Sequence, residues 1–162
     1  MNIKSFLSIL HRKFDKIFFK EKIVFGKYEG NLGYSESTFI VNVVLYDTIK
    51  AYNQIHKDKL KLSPEHGGRS PTDFCILNKE NKIELYIEHE NDPKRIDYNL
   101  KKLLKFRKAK ERLLICYERP KILNKTIARL KKGKVGYGIY IWIGPWDIEK
   151  IREFKMFKIG GI

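Results

Sequence analysis

The sequence predicts an α/β domain in which helices flank both faces of a mixed central sheet. Apolar residues recur at helical spacing over residues 2–25, 35–55 and 93–110. Residues 71–90 instead alternate between apolar and polar side chains on either side of a polar turn, as a β-hairpin does. A short apolar run at 112–117 is typical of a buried strand.

The chain of 162 residues fits one domain and is long enough to bury a core. It has no internal repeat, no low-complexity linker and no break in composition. We expect an N-terminal helix and turn over residues 1–30, a core over 35–118 and a C-terminal extension over 119–162. The predicted order is helix, helix, strand, strand, strand, helix, strand, helix, strand, helix.

Two helices open the chain. The helix over residues 2–25 is amphipathic and basic, so it either packs on the domain or a second copy of it, or lies on a membrane surface. Ser35 or Ser37 can cap the second helix, which extends to about residue 55. Its first turn holds Glu36, which is either favoured there by the helix dipole or directed towards a site on the sheet.

The hairpin over residues 71–90 concentrates acidic side chains on one face. Side chains of a strand alternate between the two faces of a sheet, so Ile83, Leu85 and Ile87 share one face. The opposite face receives Glu84, Tyr86, Glu88 and Glu90. Asp73, at the start of the preceding strand, is expected to lie beside the last two of these acids.

Shorter elements surround the hairpin. Residues 59–63 alternate as a first strand, and the turn-forming residues 64–71 predict a loop. His66 in that loop is a candidate general base, although a lone loop histidine is usually solvated. Asp92 suits the N-cap of the helix over 93–110, and Pro93 suits its first position.

The C-terminal part adds three predicted elements. Residues 121–132 form a basic helix, and residues 135–143 form a strand. Gly144 and Pro145 then turn the chain into a tail helix from about Asp147.

The chain is strongly basic. Lys and Arg number 34 and Asp and Glu 19, which gives a formal charge of 34 − 19 = +15. Such an excess suits a polyanionic partner, such as nucleic acid, while a solvated lysine-rich surface is the alternative explanation.

The two cysteines and the apolar runs limit the possible locations. Cys75 and Cys116 lie inside apolar strand-like runs, which predicts buried thiols rather than a disulfide, and no Cys/His spacing suggests zinc. The apolar runs are too short for a membrane span, and the N-terminus lacks signal-peptide features. We expect a cytoplasmic protein without membrane insertion.

Carboxylates clustered at a sheet edge repel one another unless one is protonated or a cation lies among them. Mg²⁺ is bound by hard oxygen ligands, often one or two carboxylates with water and substrate phosphate. A metal held there can activate water for attack on a phosphodiester, while neighbouring basic helices hold the nucleic-acid backbone. An acidic cluster inside a basic surface therefore favours a metal-dependent nuclease.

These residues and elements resemble the PD-(D/E)XK, or restriction-endonuclease-like, nuclease superfamily. The likeness rests on Pro71-Thr-Asp73, then fourteen residues, then Glu88-His-Glu90, within the element order of residues 35–118. In size and element order the chain is similar to archaeal Holliday-junction resolvases. The resemblance implies a restriction-endonuclease-like αβββαβ core and a Mg²⁺- or Mn²⁺-dependent endonuclease, with DNA a more natural substrate than RNA.

The resemblance also implies roles for individual residues. Asp73 and Glu88 would bind the metal, together with the backbone carbonyl of His89. Glu36 would match an additional acid that some members carry on the first core helix. Glu90 stands where the family usually has lysine, so it is either a further ligand or the mark of a lost activity.

Lysines of the following helix, Lys101, Lys102 and Lys105, are candidates to replace the family's lysine. The basic residues expected to contact nucleic acid are Lys94, Arg95, Lys101, Lys102, Lys105, Arg107, Lys108, Arg129, Lys131 and Lys132. A homodimer would suit paired cuts on two strands. Two other functions stay open: a non-catalytic nucleic-acid-binding protein with the nuclease fold, and an interaction or membrane-surface protein built around the first helix.

Overall fold

A computed structural model describes residues 1–17, 34–66, 72–90, 92–106, 110–118, 124–125, 128–129, 132, 138–145 and 155–159. Its centre is a six-stranded sheet in which the strands lie side by side in chain order. The strands are β1 (Lys61–His66), β2 (Thr72–Leu77), β3 (Ile83–Glu90), β4 (Glu111–Glu118), β5 (Ile139–Pro145) and β6 (Lys155–Ile159). The first three and the last two pair antiparallel, and β3, β4 and β5 pair parallel.

Helices cover both faces of this sheet, so the predicted α/β class with a mixed sheet is confirmed. The helices are α1 (Ile3–Asp15), α2 (Tyr34–His56) and α3 (Ile96–Lys105), the last preceded by a 3₁₀ turn (Pro93–Arg95). Helices α1 and α2 share a core with the sheet face that holds Leu85 and Ile87. Helix α3 packs on the opposite face, where its buried Leu100 and Leu103 join Tyr86 of β3.

The apolar side of α1 is part of this core. Phe6, Leu10 and Phe14 are fully buried. The Phe14 ring stacks on Trp142 of β5 with 4.2 Å between ring centroids. The first helix therefore uses its apolar residues inside the domain.

The predicted hairpin is confirmed, and Asn78 organises its turn. The side-chain oxygen of Asn78 accepts hydrogen bonds from the backbone N–H groups of Glu80 and Lys82. Asn81 adopts a left-handed backbone with φ of 59°, which asparagine tolerates better than most residues.

Next to the turn Leu77 pairs with Ile83, and a register shift between Ile76 and Leu77 then pairs Phe74 with Ile87. This irregularity, and not the turn alone, decides the face on which each acid lies. The predicted common face of Ile83, Leu85 and Ile87 is wrong at Ile83, which packs with the cluster under α3 because the strand pairing is irregular there.

Three predicted boundaries are wrong. Strand β1 continues through His66, where a loop was predicted, because residues 64–66 pair with β2 along the sheet edge, where a proline is tolerated. Helix α3 ends at Lys105, before the predicted residue 110. Arg112 of β4 donates hydrogen bonds to the carbonyls of Leu103 and Phe106, and so caps the end of that helix.

The third error concerns the C-terminal segment. Gly144 and Pro145 belong to β5 instead of forming a turn, and residues 155–159 form β6 where the tail helix was expected. The segment Lys155–Ile159 is short and does not alternate between polar and apolar residues, and only its pairing with β5 makes it a strand.

Some predictions fall outside the described residues: the end of the first helix beyond residue 17, and residues 146–154 of the tail. Of the predicted basic helix 121–132, residues 124–125, 128–129 and 132 are described, and they are helical. Within the described ranges no helix is long and apolar enough to cross a membrane. Cys75 and Cys116 are buried, as predicted.

Candidate active site

Asp73 and Glu88 lie on neighbouring antiparallel strands and on the same face of the sheet. The register pairs Phe74 with Ile87, so the preceding residue of β2 meets the following residue of β3. Asp73 is half-buried, and the Glu88 side chain is only 1% exposed. Both carboxylates face the layer formed by α3. The expected approach of these two acids is therefore present in the structure.

Lys102 of α3 covers this pair of acids. Its Nζ atom donates a hydrogen bond of 2.9 Å to Oε2 of Glu88, and its side chain is 15% exposed. Lys101 and Lys105 are exposed on the outer side of the same helix. Of the three lysines that were candidates for this position, the helix directs Lys102 to the acids.

The pKa of Glu88 reflects its burial and its two charged neighbours, Asp73 and Lys102. Burial and the negative charge of Asp73 raise the pKa of Glu88 to about 7, against the hydrogen bond and charge of Lys102. The Oε1 atom of Glu88 is buried and accepts no hydrogen bond from the part of the chain that the structure describes. The raised pKa of Glu88 and the neighbouring Lys102 cation both reduce the repulsion between the two carboxyl groups.

The side chain of His89 lies on the other face of the sheet, as strand alternation requires. Its Nδ1 atom is 3.5 Å from Oγ1 of Thr38 in α2, and burial lowers the pKa of its imidazole to about 3. Its backbone N–H donates a hydrogen bond of 2.8 Å to Oδ2 of Asp73. Only backbone atoms of His89 are therefore directed to the acidic face.

Glu90 joins β3 to α3. Its Oε1 atom accepts a 2.8 Å hydrogen bond from the backbone N–H of Asp92, and its Oε2 atom accepts one of 2.7 Å from Nδ2 of Asn99. Nε of Arg95 lies 3.6 Å from the same Oε2 atom. Since both carboxylate oxygens are engaged, Glu90 holds the start of the helical segment against the sheet.

The start of that segment is capped as predicted. The side chain of Asp92 accepts a hydrogen bond from the backbone N–H of Lys94, and Pro93 follows at the first position.

Glu36 lies in the first turn of α2, and its side chain is outside the described residues. Two positions further on, Thr38 is the residue that approaches His89. The backbone of this turn therefore lies at the end of β3 that carries the acids, on the opposite sheet face.

The basic residues divide into three groups. Lys94, Arg95, Lys101 and Lys105 are exposed on one helical segment beside the acids. Arg129 and Lys132 are exposed, and Arg129 forms an ion pair with Asp97. The side chains of Arg107, Lys108 and Lys131 lie outside the described residues.

Sequence reasoning missed the role of Asn99. This residue is 4% exposed and occupies a core position of α3 together with Ile96, Leu100 and Leu103. An amide among apolar residues at helical spacing needs a buried partner, which was a usable signal. That partner is Glu90.

Glu84 is a further buried acid, at the other end of β3. It accepts hydrogen bonds from Lys110, from Asn78 and from the amino group of Met1. Burial raises the pKa of its carboxyl, but these donors outweigh burial and leave the pKa below its usual value. Glu84 is thus a satisfied structural acid and not part of the pair at Asp73.

The donor set at Asp73 and Glu88 fits a hard divalent cation. Carboxylate oxygens are the ligands that Mg²⁺ prefers, and the buried Oε1 atom of Glu88 has no competing donor among the described residues. No group of three or more His, Cys, Asp or Glu side chains suited to a metal occurs within the described ranges. Two carboxylates are enough for Mg²⁺, because this ion keeps several waters and takes substrate phosphate as a ligand.

No protein-family model matches the chain, and no curated protein matches it. Among solved structures, the chain is similar to the YaeQ protein from Xanthomonas axonopodis pv. citri, with 13% identity and a TM-score of 0.28. The match covers 62% of this chain and 54% of that one, so the chain spans about half the length of this neighbour. A likeness of this size carries no conclusion about fold or function.

Proposed function

We propose that this chain is a metal-dependent nuclease of the PD-(D/E)XK type that hydrolyses phosphodiester bonds, with DNA as the expected substrate. One observation carries the proposal: Asp73 and Glu88 meet on one sheet face beneath Lys102, and Glu88 keeps an unpartnered buried oxygen among the described residues. Buried carboxylate oxygens usually have a hydrogen-bond partner. A carboxylate with one oxygen left over suits a ligand that arrives from outside.

In this proposal Asp73 and Glu88 hold Mg²⁺ or Mn²⁺, which supplies Lewis-acid activation of water and of the scissile phosphate. The backbone N–H of His89 fixes the orientation of the Asp73 carboxylate. Lys102 provides a positive charge next to the acids, where charge develops on a phosphoryl group during attack. Binding of a cation lowers the pKa of Glu88 and favours its ionised form.

The expected partner follows from charge. The formal charge of +15 and the exposed Lys94, Arg95, Lys101 and Lys105 favour contacts with a phosphate backbone. These cations lie on the helical segment that carries Lys102, so a backbone held by them borders the acids. A cytoplasmic location and a homodimer that cuts both strands belong to the same proposal.

The test is a cleavage panel with linear duplex, single-stranded and four-way-junction DNA in Mg²⁺, Mn²⁺ or EDTA. We expect cleavage that requires the metal and that falls at least a hundredfold in Asp73→Asn and Glu88→Gln. Binding of uncleaved DNA in EDTA should change little in these variants, because their side chains keep nearly the same shape.

Glu80→Gln is the matched control, because Glu80 is an exposed acid of the hairpin turn and its loss should leave cleavage unchanged. Cleavage that persists in EDTA, or that survives both substitutions at the acids, would contradict the proposal.

A second candidate is a nucleic-acid-binding protein that does not cut. It is favoured by Glu90, which stands in place of the family's lysine and uses both oxygens within the junction to α3. In that case no substrate of the panel is cleaved in any metal, and chelation leaves DNA affinity unchanged.

A further inference from the structure

The outer side of α3 carries an exposed tyrosine, Tyr98, with basic residues around it. Tyr98 is 56% exposed, and the guanidinium carbon of Arg95 lies 5.6 Å from the centre of its ring. A large aromatic side chain that is left in water beside a guanidinium can bind another planar group.

The sequence spacing places basic residues on both sides of Tyr98 along this helical segment. Positions three or four residues apart are neighbours on a helix. Lys94 and Arg95 lie four and three residues before Tyr98, and Lys101 lies three residues after it. Lys105, one further turn along, continues the same side. Lys102, four residues after Tyr98, turns to Glu88 instead. The acid of this helix, Asp97, is adjacent in sequence but pairs with Arg129 instead.

This arrangement of charge calls for an anionic partner. Lys101 and Lys105 are four residues apart and both exposed, a spacing at which like charges destabilise a helix. The repulsion between the two lysines is reduced when a polyanion binds along this face. Phosphate groups would satisfy the lysines but would leave the ring of Tyr98 unused.

We propose that Tyr98 is a stacking platform for an unpaired base, so that the basic face of α3 binds a single-stranded segment of nucleic acid. Bases of a single strand expose their planar faces, whereas those of an intact duplex are covered by stacking with their neighbours. The backbone of the same strand lies on Lys94, Lys101 and Lys105.

The platform borders the acidic pair. Lys102 binds Glu88, and Arg95, whose guanidinium lies over the Tyr98 ring, has its Nε atom 3.6 Å from Oε2 of Glu90. A strand held on Tyr98 therefore passes beside Asp73 and Glu88. The inference rests on the proposed function for the nature of the partner, and it names the substrate class as a single strand or the unpaired part of a branched or frayed duplex.

The test measures binding by the full chain in EDTA, which prevents cleavage. Fluorescein-labelled dT15, rU15 and a blunt 15-base-pair duplex are the probes, and anisotropy is the readout. Tyr98→Ala should weaken binding of a single strand by about five- to a hundredfold, the usual loss when a stacked aromatic is removed. Duplex affinity should stay within about twofold, because phosphate contacts persist. The dT15 and rU15 arms decide whether the strand is DNA or RNA.

Two further variants separate stacking from general effects. Tyr98→Phe keeps the ring and should bind the single strand as the original chain does. Tyr46→Ala removes a tyrosine of similar exposure, 63%, from α2 on the other face of the sheet, and should bind normally.

Equal losses for duplex and single strand, or no loss with Tyr98→Ala, would overturn the inference. Because these arms involve no cleavage, they can fail while the nuclease activity stands, and they can succeed in a protein that does not cut.

Discussion

Glu88 is subject to three opposing influences on one carboxyl group. Burial and the charge of Asp73 favour the protonated form, while Lys102 favours the ionised form. Burial and the charge of Asp73 have the larger effect, and the pKa rises to about 7. The pKa of such an acid is sensitive to an added cation, because a second positive charge beside Glu88 favours its ionised form. The same property makes Glu88 visible in the stability of the metal-free protein.

The pH dependence of stability in EDTA should report Glu88 directly. Between its ordinary value of 4.5 and about 7, the folded chain keeps a proton on Glu88 that the unfolded chain releases. The free energy of unfolding therefore falls as pH rises through this window, by about 1.4 kcal/mol per pH unit from this group. Glu88→Gln removes the effect, so the free energy of unfolding of the variant should increase relative to that of the original chain as pH rises across the window.

His89 acts in the opposite direction. Its buried imidazole stays neutral in the folded chain down to a pKa of about 3, whereas in the unfolded chain it takes up a proton below about 6.5. This group therefore makes the chain less stable as pH falls from 6.5. The two slopes offset each other between pH 4.5 and 6.5 in the original chain.

Urea unfolding of the original chain, Glu88→Gln and Glu80→Gln over pH 4.5–7.5 measures the Glu88 effect by difference. Glu80→Gln should follow the original chain. If Glu88→Gln ran parallel to it as well, the buried acid would not be protonated in this window.

At the level of elements, the junction between β3 and α3 decides where the functional side chains lie. Asp92 and Pro93 start the helical segment, and Glu90 ties it to the sheet through Asn99. Arg112 fixes the other end of α3 by capping its last carbonyls. A helix held at both ends keeps a constant rotation about its axis. That rotation is what directs Lys102 inward and Tyr98 outward.

Glu90→Ala should lower the free energy of unfolding by about 1–3 kcal/mol, because it leaves the buried amide of Asn99 and the N–H of Asp92 without an acceptor. Urea unfolding measures the loss, and Glu80→Ala in the exposed turn should change stability by less than about 0.5 kcal/mol.

The same variant separates the two roles of Glu90. If Glu90 serves the junction, the folded Glu90→Ala protein should still be stabilised by Mn²⁺ in a thermal shift, as the original chain would be. Normal stability combined with a lost Mn²⁺ shift would instead identify Glu90 as a metal ligand.

At the level of the whole molecule, the two faces of the sheet differ in what they bury. Helices α1 and α2 supply most of the apolar core on one face, and the face under α3 combines a smaller core with the acidic pair. The basic α1 keeps its apolar residues in that larger core. A membrane-surface function built on this helix would require α1 to leave the domain and expose Phe6, Leu10 and Phe14.

Phe14→Ala should therefore cost about 3–5 kcal/mol of unfolding free energy, the usual loss for a fully buried phenylalanine. The stack on Trp142 disappears with it, so the near-ultraviolet circular dichroism of tryptophan should also change. Lys4→Ala, at an exposed position of the same helix, is the control and should be neutral. A loss below about 1 kcal/mol for Phe14→Ala would show that α1 is not part of the core.

Local pattern was sufficient for most of the architecture. Alternation over β3 placed Glu88 and Glu90 on the face opposite Leu85, and the turn residues around Asn78 predicted the hairpin. The register shift between Ile76 and Leu77, which brings Asp73 opposite Glu88, was not predictable from these signals. Both signals act within a few residues of chain, where side-chain direction follows from backbone geometry alone. The N-cap at Asp92 was predictable for the same reason.

Tertiary packing decided which residues meet across elements. Three lysines of α3 were equivalent in sequence, and only the packing of Leu100 and Leu103 on the sheet turned Lys102 towards Glu88. Glu90 could be assigned to the junction only once Asn99 was seen beside it, and Lys155–Ile159 became a strand only through its pairing with β5. Such contacts depend on how one element is rotated and positioned against another. That is fixed by the sum of the packing in the core and not by the spacing of residues along the chain.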